Sequence, residues 1–455
     1  MVVTEARQTA VPWYAEVTRY QWLVLLIACL GWVFDAYEGQ IFVASTNEAM
    51  PSLLPAGTSE SAVYFYNNVA FGMFLLGGAV GGVLFGVVSD RIGRTKAMVL
   101  TILMYSCFTG LTALVQTWWQ MAFLRFLVAM GVGGEWAVAS AMVAEVFPTR
   151  ARAYSLAIFH SSSIAGIYLA VLAGVFVIGN PRLGWRWGFA LGTVPALLTL
   201  WIRWRLREPE PWLQARKTAR EDRSHQTGKI GDLFTRGLLR NTLMGATLAT
   251  VGLGTFWGVH IYGKELYRQR VDQQYASLEA APAAQANSHA AVGERSAAVK
   301  HAEMLGMFLV TTGSLFGLVS FGPISERVGR RGAFLLYLLG AMLSTWVVFQ
   351  GLSDVPIVVL GIGLVVFGFL TGGFHSGFAI YFPELFPTRL RGTGAGFCFN
   401  SGRLLAAPIL VLTGWMRTDQ GLSLASCVSL LAILFPLGAA ALLFARETRG
   451  LELPE

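Results

Sequence analysis

Five ionisable residues, Asp35, Glu38, Arg125, Glu135 and Arg403, lie within stretches that are otherwise almost wholly apolar. Charge is costly in such surroundings, so each is a functional candidate by default. Asp35 and Glu38 are three residues apart and share one helical face. At a rise of 1.5 Å per residue, Asp35 lies about 20 Å along its segment from Trp22, and Arg125 about 9 Å into its own. These depths match if the two segments run in opposite directions. An Asp35–Arg125 pair would lower the burial cost of both charges, and protonating the acid would release the arginine. That is proton-coupling chemistry; the alternative is a static structural pair. Glu38 joins this set or simply reaches outer water. Glu135, beside Trp136, relays protons, holds a ligand, or hydrogen-bonds to the second or fifth helix.

Arg403 lies about 15 Å into its segment from Thr393, with no acid nearby in that segment. A guanidinium stays charged and presents a planar fork matched to carboxylates. A bound carboxylate is its natural partner; Glu135 or backbone carbonyls are the other possibilities. Tyr37, Tyr64, Asn67, Asn68, Trp257 and Asn400 are candidates to complete a pocket. His260 falls at the level of Asp35 when Tyr262 is set on Tyr37, and His375 is the counterpart of Trp136 at an offset of 239. Each of these histidines, like His160, either titrates near neutral pH or is neutral and satisfied in the core.

Several chemistries have no support. No His pair stands at i, i+4, and Cys29, Cys107, Cys398 and Cys427 lie singly in apolar windows, so neither a metal site nor a disulfide is indicated. No phosphate-binding glycine loop argues for nucleotide hydrolysis, and no nucleophile–His–acid set marks an enzyme. No cofactor beyond a proton is expected.

The elements that must position these residues are membrane helices. Charged residues make up 13% of the 455 and apolar ones 55%, against about 25% charged in soluble chains. A spanning helix needs roughly 20 apolar residues. Twelve windows qualify: 20–43, 63–88, 97–117, 119–145, 154–179, 185–206, 241–262, 303–325, 332–352, 355–382, 393–415 and 421–445. Loops after even-numbered windows hold Arg91, Arg94, Lys96, Arg150, Arg152, Arg327, Arg330, Arg331, Arg389 and Arg391, whereas the opposite loops are poor in positive charge. The positive-inside rule then places both termini in the cytoplasm, in a plasma (inner) membrane protein. The net charge of +8 is accounted for by topology and anionic lipid, without nucleic acid. The first twenty residues do not read as a cleavable signal peptide.

Two motifs recur. Gly86-Val-Val-Ser-Asp90-Arg-Ile-Gly93-Arg94 is echoed by Gly322-Pro-Ile-Ser-Glu326-Arg-Val-Gly329-Arg330, and Glu145-Val-Phe-Pro-Thr-Arg150-Ala-Arg152 by Glu384-Leu-Phe-Pro-Thr-Arg389-Leu-Arg391. The offsets are 236 and 239, so one half duplicates the other. Parallel halves of this kind enclose a site that opens to each side in turn. The domains are then an N-terminal six-helix bundle at 1–206, a cytoplasmic linker at 207–240 and a C-terminal bundle at 241–455. The hydrophilic insertion at 263–302 reads as a flexible or helical extracytoplasmic spacer. Gly86, Asp90, Arg91, Gly93, Arg94, Glu145, Arg152, Glu326, Arg327, Arg330, Glu384 and Arg391 are expected to form an ionic latch at the cytoplasmic mouth. The plainer reading makes them topology anchors in tight turns.

These repeated loops resemble the signature of the major facilitator superfamily, and the resemblance covers nearly all of the chain. Arg207-Glu-Pro-Glu-Pro-Trp212 and Glu447-Thr-Arg-Gly-Leu-Glu452 are similar to the stretches that close each half in sugar-porter-like members. Arg125 followed by Gly131, Gly133 and Gly134 fits the proton-coupled sugar porters. Asp35-Ala-Tyr37-Glu38 resembles the first helix of aromatic-acid and sialic-acid proton symporters. The stretch from Glu384 to Pro408 is similar to that of organic-ion transporters, whose anion carriers often have an arginine at the position of Arg403. The resemblance implies an all-α membrane protein, with twelve transmembrane helices in two parallel-repeat six-helix bundles around a central cavity. It implies a monomeric secondary transporter moving a small organic acid with protons. A carrier of neutral sugars or drug-like solutes, or a non-transporting sensor, are the rival readings.

Overall fold

The computed structural model describes residues 12–178, 182–222, 226–279, 288–352, 355–418 and 420–455, and every regular element among them is helical. Span 1 is Arg19–Ser52, span 2 Glu60–Ile92, span 3 Arg94–Thr112 and span 4 Trp118–Val146. Span 5 is Thr149–Ser161 continued by Ser163–Ala173, and span 6 is Gly184–Leu191 continued by Ala196–Arg205. Span 7 is Leu239–Gly258. The helix Ser288–Trp346 holds spans 8 and 9, which part at Gly329. Span 10 is Ile357–Gly373 continued by His375–Leu385, span 11 Arg391–Thr418, and span 12 Leu424–Leu431 continued by Leu434–Ala441.

Local sequence sets where these helices begin. Thr18 accepts from the N–H of Gln21 at 3.2 Å while Gln21 Oε1 accepts from the N–H of Thr18 at 2.8 Å, a reciprocal cap on span 1. Ser59 and Ser423 cap spans 2 and 12, their hydroxyls accepting from Ala62 N and Ser426 N. Nine helical stretches among the described residues are long and apolar enough to cross a membrane, and one of them, His301–Gly351, contains two crossings. Span 6 breaks at residues 192–195, and span 11 carries Arg391, Arg403 and Arg417. Large apolar side chains such as Leu114, Leu197, Trp204 and Val358 point outward, as suits a surface solvated by lipid.

Paired glycines bring the inner spans together. A Cβ on Gly77 or Gly81 of span 2 would lie 2.1 and 2.0 Å from the carbonyl oxygens of Phe126 and Met130 on span 4. Gly313 and Gly317 of span 8 meet Val365 and Phe369 of span 10 in the same way, at 2.0 and 2.2 Å. Small residues let backbones approach closely in apolar surroundings, and the duplicated sequence repeats the contact at the same offsets.

The described parts of the insertion at 263–302 are helical. Gly263–Glu279 is helical, and the helix of span 8 starts back at Ser288. Arg295 pairs with Asp272 at 2.7 Å and Lys264 with Glu303 at 3.1 Å, holding the two helices side by side. Its Ala, Gln and Glu content favours helix, the helical alternative of the sequence reading.

Candidate functional site

Four buried charges, Asp35, Glu38, Arg125 and Glu135, and the half-buried Arg403 gather where spans 1, 3, 4 and 11 meet, but not in the expected pairs. Arg125 donates to Thr112 Oγ1 at 2.7 Å, lies 4.8 Å from the Phe189 ring centroid, and has Glu38 as its electrostatic partner. The expected Asp35–Arg125 pair is therefore not formed. Three residues along a helix turn a side chain by about 60°. Glu38 accordingly faces spans 3, 4 and 6, where it accepts from Thr109 at 2.6 Å. Asp35 has Glu135, Glu38 and Arg403 as electrostatic neighbours. Neither of its carboxylate oxygens has a hydrogen-bond partner among the described residues.

Glu135 bonds neither span 2 nor span 5; the hydroxyl of Thr101 on span 3 donates to it. Its other oxygen has no partner among the described residues and lies against Gly31 of span 1. Arg403 makes no salt bridge with Glu135. Its Nη1 donates to Asn400 Oδ1 at 3.1 Å, and its guanidinium stands 5.2 Å from the Phe399 ring centroid. A Cβ on Gly78 of span 2 would come within 2.7 Å of Nη1, so glycine there leaves room for the arginine. Asn400 Nδ2 donates to Gly396 O at 2.8 Å, which fixes the amide that orients Arg403.

The other pocket candidates divide. Tyr37 turns away from the centre: its hydroxyl donates to Gly188 O at 2.9 Å, and its ring lines an apolar crevice of about 360 Å³ with Phe34, Leu169 and Phe176. That crevice is bounded by outward-facing apolar side chains, and the charged centre lies elsewhere. Asn67 Oδ1 is buried without a hydrogen-bond partner among the described residues. The side chains of Tyr64, Asn68 and Trp257 lie outside the described residues. His260 Nδ1 is 2.7 Å from Thr371 Oγ1, satisfied between spans 7 and 10. His375 Nδ1 donates to Gly372 O at 3.0 Å, and its ring stacks on Phe374. His160 Nδ1 accepts from Trp136 Nε1 at 3.1 Å, and Trp136 stacks on Phe399 at 4.0 Å. Sequence reasoning missed Thr101, Tyr105, Thr109 and Phe399; the spacing of Thr101, Tyr105 and Thr109 along one face of span 3 was the available signal.

On the arginine-rich face the repeated motifs build two matching ion clusters. Arg94 donates to Asp90 and makes a forked contact with Glu145, at 2.7 Å through Nη2 and 3.3 Å through Nε. Arg330 bonds Glu326 at 2.8 Å and forks onto Glu384 at 3.0 and 3.1 Å. Both arginines follow a glycine with positive φ, Gly93 at 118° and Gly329 at 83°, a conformation that disfavours side chains. Each turn is then capped by an acid from the end of its own set of six spans. Glu208 accepts the N–H groups of Thr95 and Lys96 at 3.2 and 3.3 Å; Glu447 accepts those of Arg330 and Arg331 at 2.9 and 3.1 Å. Burial raises the Glu208 carboxyl above its usual range despite those donors. At Glu447 burial acts the same way, but the N–H groups of Arg330, Arg449, Arg331 and Thr448 outweigh it and hold the carboxyl below its usual range.

The first cluster also crosses to spans 7–12. Asp90 accepts from Gly392 N at 3.1 Å, Thr393 N at 2.7 Å and Thr393 Oγ1 at 2.5 Å, at the start of span 11. Arg391 donates to Glu145 at 2.8 Å, and Gly86 packs against Gly392. Trp212 of the linker donates to Asp90 O at 2.9 Å. Arg152 joins neither acid; it donates to Ala144 O at 3.1 Å, Thr149 Oγ1 at 3.4 Å and Leu451 O at 3.5 Å. Arg91 and Arg327 are exposed and outside both clusters. Each directly follows the clustered acid on its helix, and that one-residue step of about 100° turns it outward.

Comparison with known proteins agrees with this architecture. The model of the Major Facilitator Superfamily matches residues 39–410. The cis,cis-muconate transport protein of Acinetobacter baylyi is 27% identical, over 83% of this chain and 84% of its own. The niacin transporter NiaP of the same organism is 26% identical, over 95% of each. Among solved structures, the proton:xylose symporter XylE bound to 6-bromo-6-deoxy-D-glucose superposes with a TM-score of 0.73 over 95% of this chain and 98% of its own; at 18% identity this speaks for the fold. The chain, with its charged centre buried among membrane spans, belongs to the Major Facilitator Superfamily of transporters.

Proposed function

We propose that this transporter carries a small organic acid together with protons, by alternating access, across the inner membrane and as a monomer with both termini in the cytoplasm. Arg403 carries the proposal. It is a cation deep in the bilayer whose contacts are one amide and one ring face, with Asp35 as its electrostatic neighbour. It is half-buried and forms no salt bridge among the described residues, and a cation held among membrane spans without a close counter-ion is costly. A substrate carboxylate supplies that counter-ion, and Asn400 and Gly78 hold the fork ready for it. The names of the muconate and niacin relatives support an acid as cargo.

Protons enter through Asp35 and Glu135. Asp35 neighbours both Glu135 and Arg403, and two adjacent carboxylates cannot both remain charged beside an incoming anion without a large penalty, so anion binding favours protonation. Glu38 and Arg125 form a second, outer pair. The Asp90–Thr393 and Arg391–Glu145 contacts close the cytoplasmic mouth and break when it opens.

The test is binding of nicotinate and nicotinamide, an acid and its matching amide, to purified protein, together with cis,cis-muconate. The wild type should bind at least one of the two acids and prefer nicotinate to its amide. Arg403→Ala should abolish acid binding, and Arg403→Lys should restore it poorly, because a point charge lacks the bidentate fork. Equal binding of acid and amide, unchanged in Arg403→Ala, would point to a neutral-solute carrier.

A further inference from the structure

We infer that span 3 carries a proton wire through the first six spans, with the phenol of Tyr105 as its central relay between Glu38 and the Asp35–Glu135 pair. This rests on the proton-coupled reading above and extends it to a residue outside the charged set. The observation is a ladder of hydroxyls on one helical face. Thr101 donates to Glu135, Thr109 donates to Glu38, and Thr112 accepts from Arg125. Tyr105 lies midway between Thr101 and Thr109, about 6 Å along the axis from each.

Tyr105 is fully buried, and its hydroxyl has no hydrogen-bond partner among the described residues. Its electrostatic neighbours are Asp35, Glu135 and Glu38. Each of those acids also keeps an unbonded, buried oxygen: both of Asp35, Oε1 of Glu38 and Oε1 of Glu135. A phenol left unbonded in the core is costly, and here it stands among acceptors that are themselves unbonded. Gly131 of span 4 makes the approach possible, since a Cβ there would lie 2.9 Å from Tyr105 N and 3.0 Å from Tyr105 Cβ.

The other charged groups around span 3 are accounted for. Arg125 of span 4 lies beyond Glu38, held by Thr112 and the Phe189 ring. Arg403 of span 11 neighbours Asp35. Arg186 of span 6 bonds the carbonyls of Ala113 and Val115 past the end of span 3, about 12 Å along the axis from Tyr105. Asp90 and Arg94 lie at the far end, in the ion cluster.

The step is a concerted transfer. The Glu38 carboxyl passes its proton to the phenol oxygen as the phenol passes its own to the Asp35 carboxylate. Glu38 ends as a carboxylate, Asp35 as an acid, and Tyr105 as a neutral phenol that rotates back. No net charge rests on the relay.

The proton itself is the probe, so no substrate is needed. Purified full-length protein is subjected to an acid pH jump, and carboxyl protonation is followed by time-resolved infrared absorption, with Glu135→Gln and Asp35→Asn assigning the bands. Tyr105→Phe removes one oxygen and should slow protonation of the Asp35–Glu135 pair by about tenfold or more, in line with the contribution of a positioned proton donor. Its final amplitude and the Glu38 band should be unchanged. Site-specific difluorotyrosine at 105 keeps the fold and acidifies the phenol, so it should alter the same rate. Wild-type rates in both variants would overturn the relay alone. If no buried carboxyl of the wild type took up a proton at any pH from 4 to 9 (about the reach of shifted carboxylates), the relay and the proton-coupled reading would fall together.

Discussion

Glu145 accepts from Arg391 across the two sets of spans at 2.8 Å, whereas its repeat counterpart Glu384 is held by Arg330 and Thr448, both from its own set. The duplicated sequence thus yields matching clusters of unequal mechanical role. One ties the two sets together; the other stiffens a single set.

Asp90 should be the point where that tie is most easily weakened. Asp90→Asn loses charge while facing two N–H groups, a hydroxyl and Arg94. Transport should slow about tenfold, the effect of roughly 1.4 kcal/mol on a barrier, with ligand binding retained. Uptake rates in vesicles, paired with equilibrium binding, check this. A wild-type rate returns the loop to the role of topology anchor.

Asp35→Asn should uncouple transport from the gradient. An amide cannot carry the proton, but it fits beside Arg403 and Glu135. We expect substrate in vesicles to equilibrate rather than accumulate, while exchange of internal for external substrate persists. Undiminished accumulation would remove Asp35 from the coupling set. Glu135→Gln added to Asp35→Asn should cost little more, because neighbouring groups in one network are not additive.

Glu208 and Glu447 should respond to pH with opposite sign. The Glu447 carboxyl is held low, so its stabilisation is present above the unfolded pKa of about 4.3 and is lost as pH falls through the folded value. The Glu208 carboxyl is raised, so its contribution is present below that unfolded pKa and is lost as pH rises through the folded value. Glu447→Gln should therefore lower the melting temperature at pH 7 by an amount that shrinks toward pH 4. Glu208→Gln should cost less at pH 7 than Glu447→Gln does. Melting curves of the three proteins across that range decide it.

Gly81→Ala and Gly78→Ala should separate fold from site. At Gly81 the added carbon meets the backbone of Met130, which cannot yield without moving a span. Overpacking of this kind costs about 1–3 kcal/mol. At Gly78 it meets first the movable tip of Arg403, so stability should change less while affinity for carboxylates falls. Melting temperature and nicotinate binding, measured on both, give the contrast.

The local chemistry of this chain is legible in one dimension. Apolar windows, arginine asymmetry and the repeats at offsets of 236 and 239 determine membrane helices, duplication and the central residues of the ion clusters, Asp90, Arg94 and Glu145 with Glu326, Arg330 and Glu384. These follow from spacing along a helix and from the cost of charge in lipid, which act on neighbours in sequence. That Glu145 and Glu384 lie near loop arginines was readable because the two motifs recur in the same order at similar separations, 51 residues from Arg94 to Glu145 and 54 from Arg330 to Glu384.

Which charge meets which is decided only by the packed spans. Asp35 and Glu38 are three residues apart, yet the rotation between them sends one toward Arg403 and the other toward Arg125. Tyr37 turns to Gly188, and Thr101 of span 3 takes Glu135. Depth along a helix can be counted from residue numbers, but the direction a side chain faces depends on how neighbouring spans are turned and how closely glycines such as Gly78 and Gly131 let them approach. The same sequence motif therefore yields a bond across the two sets of spans at Glu145 and one within a single set at Glu384, because only the first of the two lies against the start of span 11.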